Sequence, residues 1–246
     1  MIYFASDTHL GAGTPEEQRL LEQRFVAWLD QIKADAEALY LLGDIFDFWF
    51  EYHRVVPQGF VRTLGKLAEL TDRGIAIHLF VGNHDMWMGD YLTRACGVQV
   101  HLRPEEVTLH GKRLFLAHGD NMRVRRGSLL WLMNTGFRSP ILRWLFRWLV
   151  HPDLALRFGH WWSGKSRKSH GQIPLTETLV QPLQAYAREY AVEHPGIDYY
   201  LFGHMHVAVN GLNNTPRTLH LGSWEQTPTY ATLDEQGTLE LKTFHL

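Results

Sequence analysis

Short apolar runs alternate with amphipathic stretches along the chain, and five of the runs end abruptly in a polar cluster. Residues 2–6, before Asp7, read as a buried strand. Thr14-Pro15-Glu16-Glu17 then supplies an N-cap, a proline suited to the first helical position and the glutamate of a capping box. Leu21, Phe25, Trp28, Leu29 and Ile32 follow at helical spacing. Leu39 to Leu42 is a second strand closed by Gly43-Asp44, residues 58–72 read as a helix ending at Gly74, and Ile75 to Val81 is a third strand. A hairpin is expected over roughly 98–118, turning at Gly111-Lys112. Farther on, a helix is expected at 181–193, a strand at 199–202, and further strands at 217–221, 229–233 and 238–244, with Asp234 to Gly237 as a hairpin loop. Strands alternating with helices place the chain in the α/β class.

Residues 121–170 break this rhythm. Their apolar positions keep helical spacing, with Ile141, Leu142, Trp144, Leu145, Phe146, Trp148 and Leu149 after Pro140. They carry ten basic side chains against one acid, a net +9, in a protein of net charge −2, and five of the nine tryptophans. That combination predicts a surface for an anionic, partly apolar partner. The expected organisation is a core of 1–122 and 171–246 with a basic, aromatic helical lobe at 123–170 for substrate or lipid. At 246 residues and 45% hydrophobic content the chain can bury a sizeable core. Its one cysteine, Cys96, excludes an internal disulfide and agrees with a reducing compartment. The N-terminus has no basic stretch and meets an acid after six residues, so it does not read as a signal peptide, and no run reaches the length of a membrane span.

The clusters carry the chemistry. Asp7-Thr8-His9, Gly43-Asp44, Gly82-Asn83-His84-Asp85, His118-Gly119 and Gly203-His204-Met205-His206 each follow an apolar run. In layered α/β folds, loops at the C-terminal ends of strands converge to form sites. Asp, Asn and His are the oxygen and imidazole ligands of Mn, Fe, Co or Zn. Any one such dipeptide is commonplace in a loop. All five in order, each behind a strand, point to a metal site.

This set resembles the calcineurin-like metallophosphoesterases, along nearly the whole chain apart from the lobe. The resemblance implies a four-layer αββα sandwich with an inserted helical lobe and two divalent metal ions, by resemblance Mn²⁺. It implies Asp7, His9, Asp44 and His206 on one ion, Asp44, Asn83, His118 and His204 on the other, and Asp44 between them. A hydroxide bridging the ions would attack phosphorus, with His84 assisting the leaving group. Asp47, Asp85 and Asp120 are candidates to orient histidines or to act as structural caps.

A nearer resemblance is to the UDP-2,3-diacylglucosamine pyrophosphatases of lipid A synthesis, carried by Leu41 to Trp49, Leu116 to Asp120, Leu221 to Trp224 and the position of the lobe. It implies cleavage at the α-phosphorus of an acylated nucleotide-sugar, giving UMP and a diacylglucosamine 1-phosphate. Asn83, His84, Ser163, Lys165, Ser166 and Lys168 are the expected substrate contacts. Many members have Arg where this chain has His84, which keeps the wider superfamily pattern. The expected setting is cytoplasmic, peripheral on the anionic inner membrane of a Gram-negative bacterium, with no nucleic acid and no obligate protein partner. Two other readings stay open at this point: a nucleotide phosphodiesterase or nuclease on the same site, and a non-catalytic interaction module that keeps the fold.

Overall fold

The computed structural model describes residues 1–122, 127–170, 177–225 and 227–245, without the side chains of 129, 130, 133, 134, 160 and 165–170. In chain order the elements are β1 (Ile2–Ala5), α1 (Pro15–Ile32), β2 (Ala38–Leu42), α2 (Val61–Asp72), β3 (Ala76–Phe80), α3 (Tyr91–Cys96) and β4 (Gln99–His101). They continue with β5 (Glu105–Leu109), β6 (Lys112–Ala117), α4 (Leu129–Phe137), α5 (Pro140–Leu149) and α6 (Pro152–His170). The chain then forms α7 (Gln181–Glu193), β7 (Tyr199–Phe202), β8 (Ala208–Gly211), β9 (Thr218–Leu221), β10 (Thr229–Leu233) and β11 (Leu239–Thr243).

Two sheets stack face to face. The first runs β11-β10-β1-β2-β3-β4, with β1 to β4 parallel and β10 and β11 antiparallel. The second runs β5-β6-β7-β9-β8, with β6, β7 and β9 parallel between antiparallel edges. Ile2, Phe4, Tyr40 and Leu42 meet Leu114, Leu116, Leu201 and Leu219 between the sheets. The alternate residues Tyr3, Ala5, Leu39 and Leu41 turn outward onto Phe25, Trp28, Leu67 and Leu70 of α1 and α2. Phe115, Ala117, Tyr200 and Phe202 likewise face Leu183 and Ala187 of α7. The central strands are covered on both faces, which is why they read as unbroken apolar runs. The layering is αββα, as the resemblance implied.

Local signals hold where they are chemical. Thr14 caps α1: its hydroxyl accepts from the Glu17 N–H at 3.3 Å, and the Glu17 carboxylate accepts from the Thr14 N–H at 2.8 Å. The hairpin expected at 98–118 is shorter, because Gln99–His101 pairs in parallel with β3 in the first sheet. Only β5 and β6 form the hairpin, and the chain crosses between sheets around Arg103-Pro104. Alternation along a strand does not say which sheet it joins. The helix expected from 58 begins at Val61, after Phe60 at a φ of 58°. The short α3 and the edge strand β8 had no counterpart in the sequence reading.

The helices α4, α5 and α6 lie between β6 and β7 in the chain. Ser139 caps α5, and Phe146 packs against Phe50 and Trp87 with ring centroids 5.3 Å apart in each pair. Trp87 Nε1 donates to the Phe137 carbonyl at 2.5 Å, and the Arg147 guanidinium lies 5.8 Å over the Phe50 ring. Another side of α5 has no cover among the described residues: Ile141, Trp144, Trp148 and Leu149 are 59–74% exposed. Among the described residues, no helix is long and apolar enough to cross a membrane.

His110 clips the β5–β6 turn to the opposite sheet. Its Nδ1 donates to the Asp234 carbonyl at 2.6 Å and its Nε2 to the Glu37 carboxylate at 2.9 Å. Both partners only accept, so the ring is doubly protonated, and these two bonds raise its pKa. A raised histidine pKa stabilises below the unfolded value of ~6.5 and is lost as pH rises through the folded value. His110→Asn, which tolerates the left-handed backbone there (φ 45°), is expected to lower Tm by about 2 °C at pH 5.5 and by less at pH 9. Thermal denaturation at the two pH values checks this.

Candidate metal centre

Seven side chains scattered from Asp7 to His206 converge at one end of the sandwich, just beyond β1, β2, β3, β6 and β7. Five of them leave their strands through left-handed backbone: Asp7 (φ 51°), His9 (46°), Asp44 (51°), His204 (70°) and His206 (56°). Non-glycine residues rarely adopt that region, and such strain persists only where surrounding contacts over-determine it. Those contacts are present. Asp7 N donates to the Gly43 carbonyl at 3.1 Å and His9 N to the Asp44 carbonyl at 3.0 Å, which laces the first two loops together. The Asp7 carboxylate accepts from His204 N at 2.9 Å, and the Asp44 carboxylate accepts from His84 N at 2.8 Å. Glycine permits two of these approaches: a Cβ on Gly82 would overlap the Asp44 carboxylate, and one on Gly203 would meet Asp7 Oδ2 at 2.6 Å.

The remaining ligand atoms gather in overlapping groups. Asp7, His9 and His206 form one, His9, Asp44 and His84 a second, and Asp44, His118 and His204 a third, with ligand atoms within 4.8 Å of one another in each. His9 Nε2 and His206 Nε2 stand 3.0 Å apart, and His206 Nε2 lies 3.3 Å from Asp7 Oδ1. His118 Nε2 lies 3.2 Å from Asp44 Oδ2 and 3.3 Å from Asn83 Oδ1. Asp7 and Asp44 are at most 1% exposed.

The donor set fits cations. The Leu42 carbonyl 2.8 Å from His118 Nδ1 can only accept, so that nitrogen carries a proton and Nε2 is the atom turned toward Asp44 and Asn83. His118 Nε2 faces both Asp44 Oδ2 and Asn83 Oδ1 within 3.3 Å. Among the described residues, the buried Nδ1 of His9 has no hydrogen-bond partner. Once His118 Nε2 gives up its proton all three facing atoms are acceptors, a set that would suit a divalent cation in the proton's place. The field is correspondingly steep. Burial works against charge on Asp7 and Asp44, yet the facing histidines hold both carboxyls well below the usual range. Burial also opposes charge on His118, and Asp44 overrides it and raises its pKa well above normal. His204 is pushed down to about 4 by burial and by the His118 charge. These are groups that share too few protons, and divalent ions would replace them.

The residues expected to orient histidines have several duties. Asp85 is buried and accepts from the backbone N–H of Gly82 at 2.7 Å and of Ile45 at 2.9 Å, so it ties two loops and touches no histidine nitrogen in these bonds. Burial and the Asp44 charge raise its pKa to about 7. Asp47 accepts from the Ser163 hydroxyl at 2.5 Å and lies 3.8–3.9 Å from His84 and His9. Asp120 instead pairs with Arg138 at 2.5 Å. The Asp47 carbonyl fixes His84 Nδ1 at 2.8 Å, and Ser163 Oγ also lies 2.8 Å from it. Ser163 is therefore buried against the core, 1% exposed. Lys165, Ser166 and Lys168 lie in α6, and their side chains fall outside the described residues.

An aromatic slot opens beside this centre. Phe48, Trp87, Phe137, Phe158 and Trp162 line it with Asn83 and His84 at one end. Sequence reasoning missed Trp87 and Phe137 as its walls. A lone tryptophan after Asp85 carries no signal until the lobe docks on it.

The description calcineurin-like phosphoesterase matches residues 1–208, and the chain belongs to that family. It is 41% identical to UDP-2,3-diacylglucosamine hydrolase of Porphyromonas gingivalis over 95% of this chain and 94% of that protein. It is 29% identical to the protein of the same name from Pseudomonas fluorescens, over 96% and 93%. With the Pseudomonas putida protein the figures are 28%, 96% and 96%.

Asp85→Ala is expected to strand two buried N–H groups and lower unfolding free energy by about 2–4 kcal/mol. Asp85→Asn, which keeps one acceptor, should lose roughly half as much. Urea denaturation of both variants measures the difference.

Proposed function

We propose that the protein hydrolyses the pyrophosphate bond of UDP-2,3-diacylglucosamine to UMP and 2,3-diacylglucosamine 1-phosphate. The observation that carries this reading is the 41% identity, over almost the full length of both chains, to a hydrolase named for that substrate. A polar centre beside an aromatic slot supports it. In this reading Asp7, His9, Asp44 and His206 hold one divalent cation, and Asp44, Asn83, His118 and His204 hold a second. When bound, such cations (Mn²⁺ in our reading) acidify water and neutralise phosphoryl oxygens.

The chain's own groups do the rest. Asp44 keeps one oxygen on the His84 N–H and turns the other toward His118. Leu42 and Asp47 orient His118 and His84 by their carbonyls, so that His118 turns Nε2 toward Asp44 and Asn83, where it would hold the cation, and His84 turns Nε2 toward the reacting phosphate. Water adds its oxygen to the α-phosphorus, the P–O bond to the sugar phosphate breaks, and the bridging oxygen leaves with the lipid half. His84 steadies that departing oxygen. Asn83, Ser163, Lys165, Ser166 and Lys168 complete our assignment of substrate contacts, Ser163 acting through Asp47 and His84. The slot is narrow in this conformation, about 50 Å³, so acyl chains enter by parting Phe48 from α6.

We further propose peripheral attachment to the cytoplasmic face of a Gram-negative inner membrane. The uncovered apolar side of α5, within the +9 segment, favours an anionic lipid surface. A nuclease would share the charge and have no use for exposed Trp144, Trp148 and Leu149.

Asp44→Ala and His118→Ala are each expected to cut UMP release by about 10³-fold or more while unfolding stays cooperative. Chelation should abolish the wild-type rate, and Mn²⁺ should restore it. Cleavage of oligonucleotides in preference to UDP-diacylglucosamine would overturn the assignment. In flotation with vesicles containing phosphatidylglycerol, the double change Trp148→Glu, Leu149→Glu is expected to reduce binding at least tenfold.

A further inference from the structure

The reaction centre has more than one opening, and the substrate has two unlike ends. A phosphate held at Asp44 and His118 would send its lipid-bearing half into the aromatic slot on the Asn83 and His84 side. The nucleoside half must leave in another direction. Three grooves border the centre away from the slot.

The first lies between α1 and α2 and reaches the centre only through Asp47, which is 2% exposed. The second touches His118, which is 4% exposed and turns its Nε2 inward to Asp44 and Asn83. That groove carries Arg103 and Arg138, side chains suited to an anion. The third opens on His206, whose ring is 23% exposed. It runs between the edge strands β8 and β11, one from each sheet, and is floored by Gly222. Besides His206 its polar lining is Ser223, Glu225, Thr227, Thr229 and Thr243, with no lysine or arginine among the described lining residues. Hydroxyls and one carboxylate without a cation suit an uncharged, hydroxyl-rich ligand and repel a second phosphate. Its volume, about 460 Å³, is that of a small-ligand site. The loop is also fixed relative to the centre. Trp224 N donates to the Asp7 carbonyl at 3.1 Å, Ser223 Oγ to the same carbonyl at 3.3 Å, and Glu225 N to Ser223 Oγ at 3.4 Å.

We propose that this groove binds the nucleoside half of the substrate, with Glu225 accepting hydrogen bonds from the ribose hydroxyls. The assignment rests on the functional reading above and deepens it. A carboxylate can accept from both vicinal hydroxyls of a ribose at once, which makes it selective for a nucleotide with an intact diol. The phosphate is held at the centre, and the nucleoside reaches past His206 into the groove.

The test is calorimetry of the Mn²⁺-loaded full-length protein with UMP and with 2′,3′-dideoxyuridine 5′-monophosphate. Wild type is expected to bind UMP about tenfold more tightly than the dideoxy nucleotide. Glu225→Gln should erase that preference. Ala208→Trp, which fills the groove from the exposed edge of β8, should weaken UMP by about tenfold. Equal wild-type affinity for the two nucleotides overturns the proposal, and so does a preference that survives in Glu225→Gln. Because binding is read and turnover is not, a protein that bound UMP selectively yet left UDP-diacylglucosamine intact would refute the functional reading and keep the groove.

Discussion

Two carboxylates out of reach of water govern this molecule. Asp7 and Asp44 are essentially inaccessible and sit among imidazoles. An isolated buried carboxylate is costly enough that a protein normally protonates it or pairs it. Here the facing histidines pair them and hold both carboxyls well below the usual range, while backbone carbonyls orient the rings of His118 and His84. The whole end of the sandwich is organised around these two buried negative charges. The left-handed turns, the close glycines and the Asp85 tie between loops hold the acceptors together against their mutual repulsion.

Much of that was legible along the chain, for an identifiable reason. A strand covered on both faces writes itself as an unbroken apolar run, and a left-handed exit from it favours glycine, aspartate or histidine. Strand ends and candidate ligands were therefore visible together at Asp7, Asp44, Asn83, His118 and His204. The capping box at Thr14 was visible because it is a chemical pattern within four residues. Longer-range facts were not. Gln99–His101 looks like the start of the hairpin that follows, and only its parallel pairing with β3 puts it in the other sheet. Asp85 reads as one more polar residue of a loop, and its work on the N–H of Ile45 spans forty positions. Ser163 reads as an open binding residue and is packed beneath its own helix against Asp47.

Specific contacts join the helices α4 to α6 to the sandwich. Phe146 and Arg147 use one side of α5 against Phe50 and Trp87, and Ser163 reaches Asp47 beneath the centre. Gly159 of α6 comes so near the Phe48 ring that a Cβ there would overlap it. The slot walls are thus shared between lobe and core, and His84 is tethered to both. A movement of α6 has a direct mechanical route to His84.

The uncovered side of α5 has a practical consequence for handling the molecule. Water is a poor solvent for a helix face carrying Ile141, Trp144, Trp148 and Leu149 at 59–74% exposure. In plain buffer such faces bury themselves against one another as protein concentration rises. Self-association is the expected result, and a mild detergent or phospholipid is expected to suppress it.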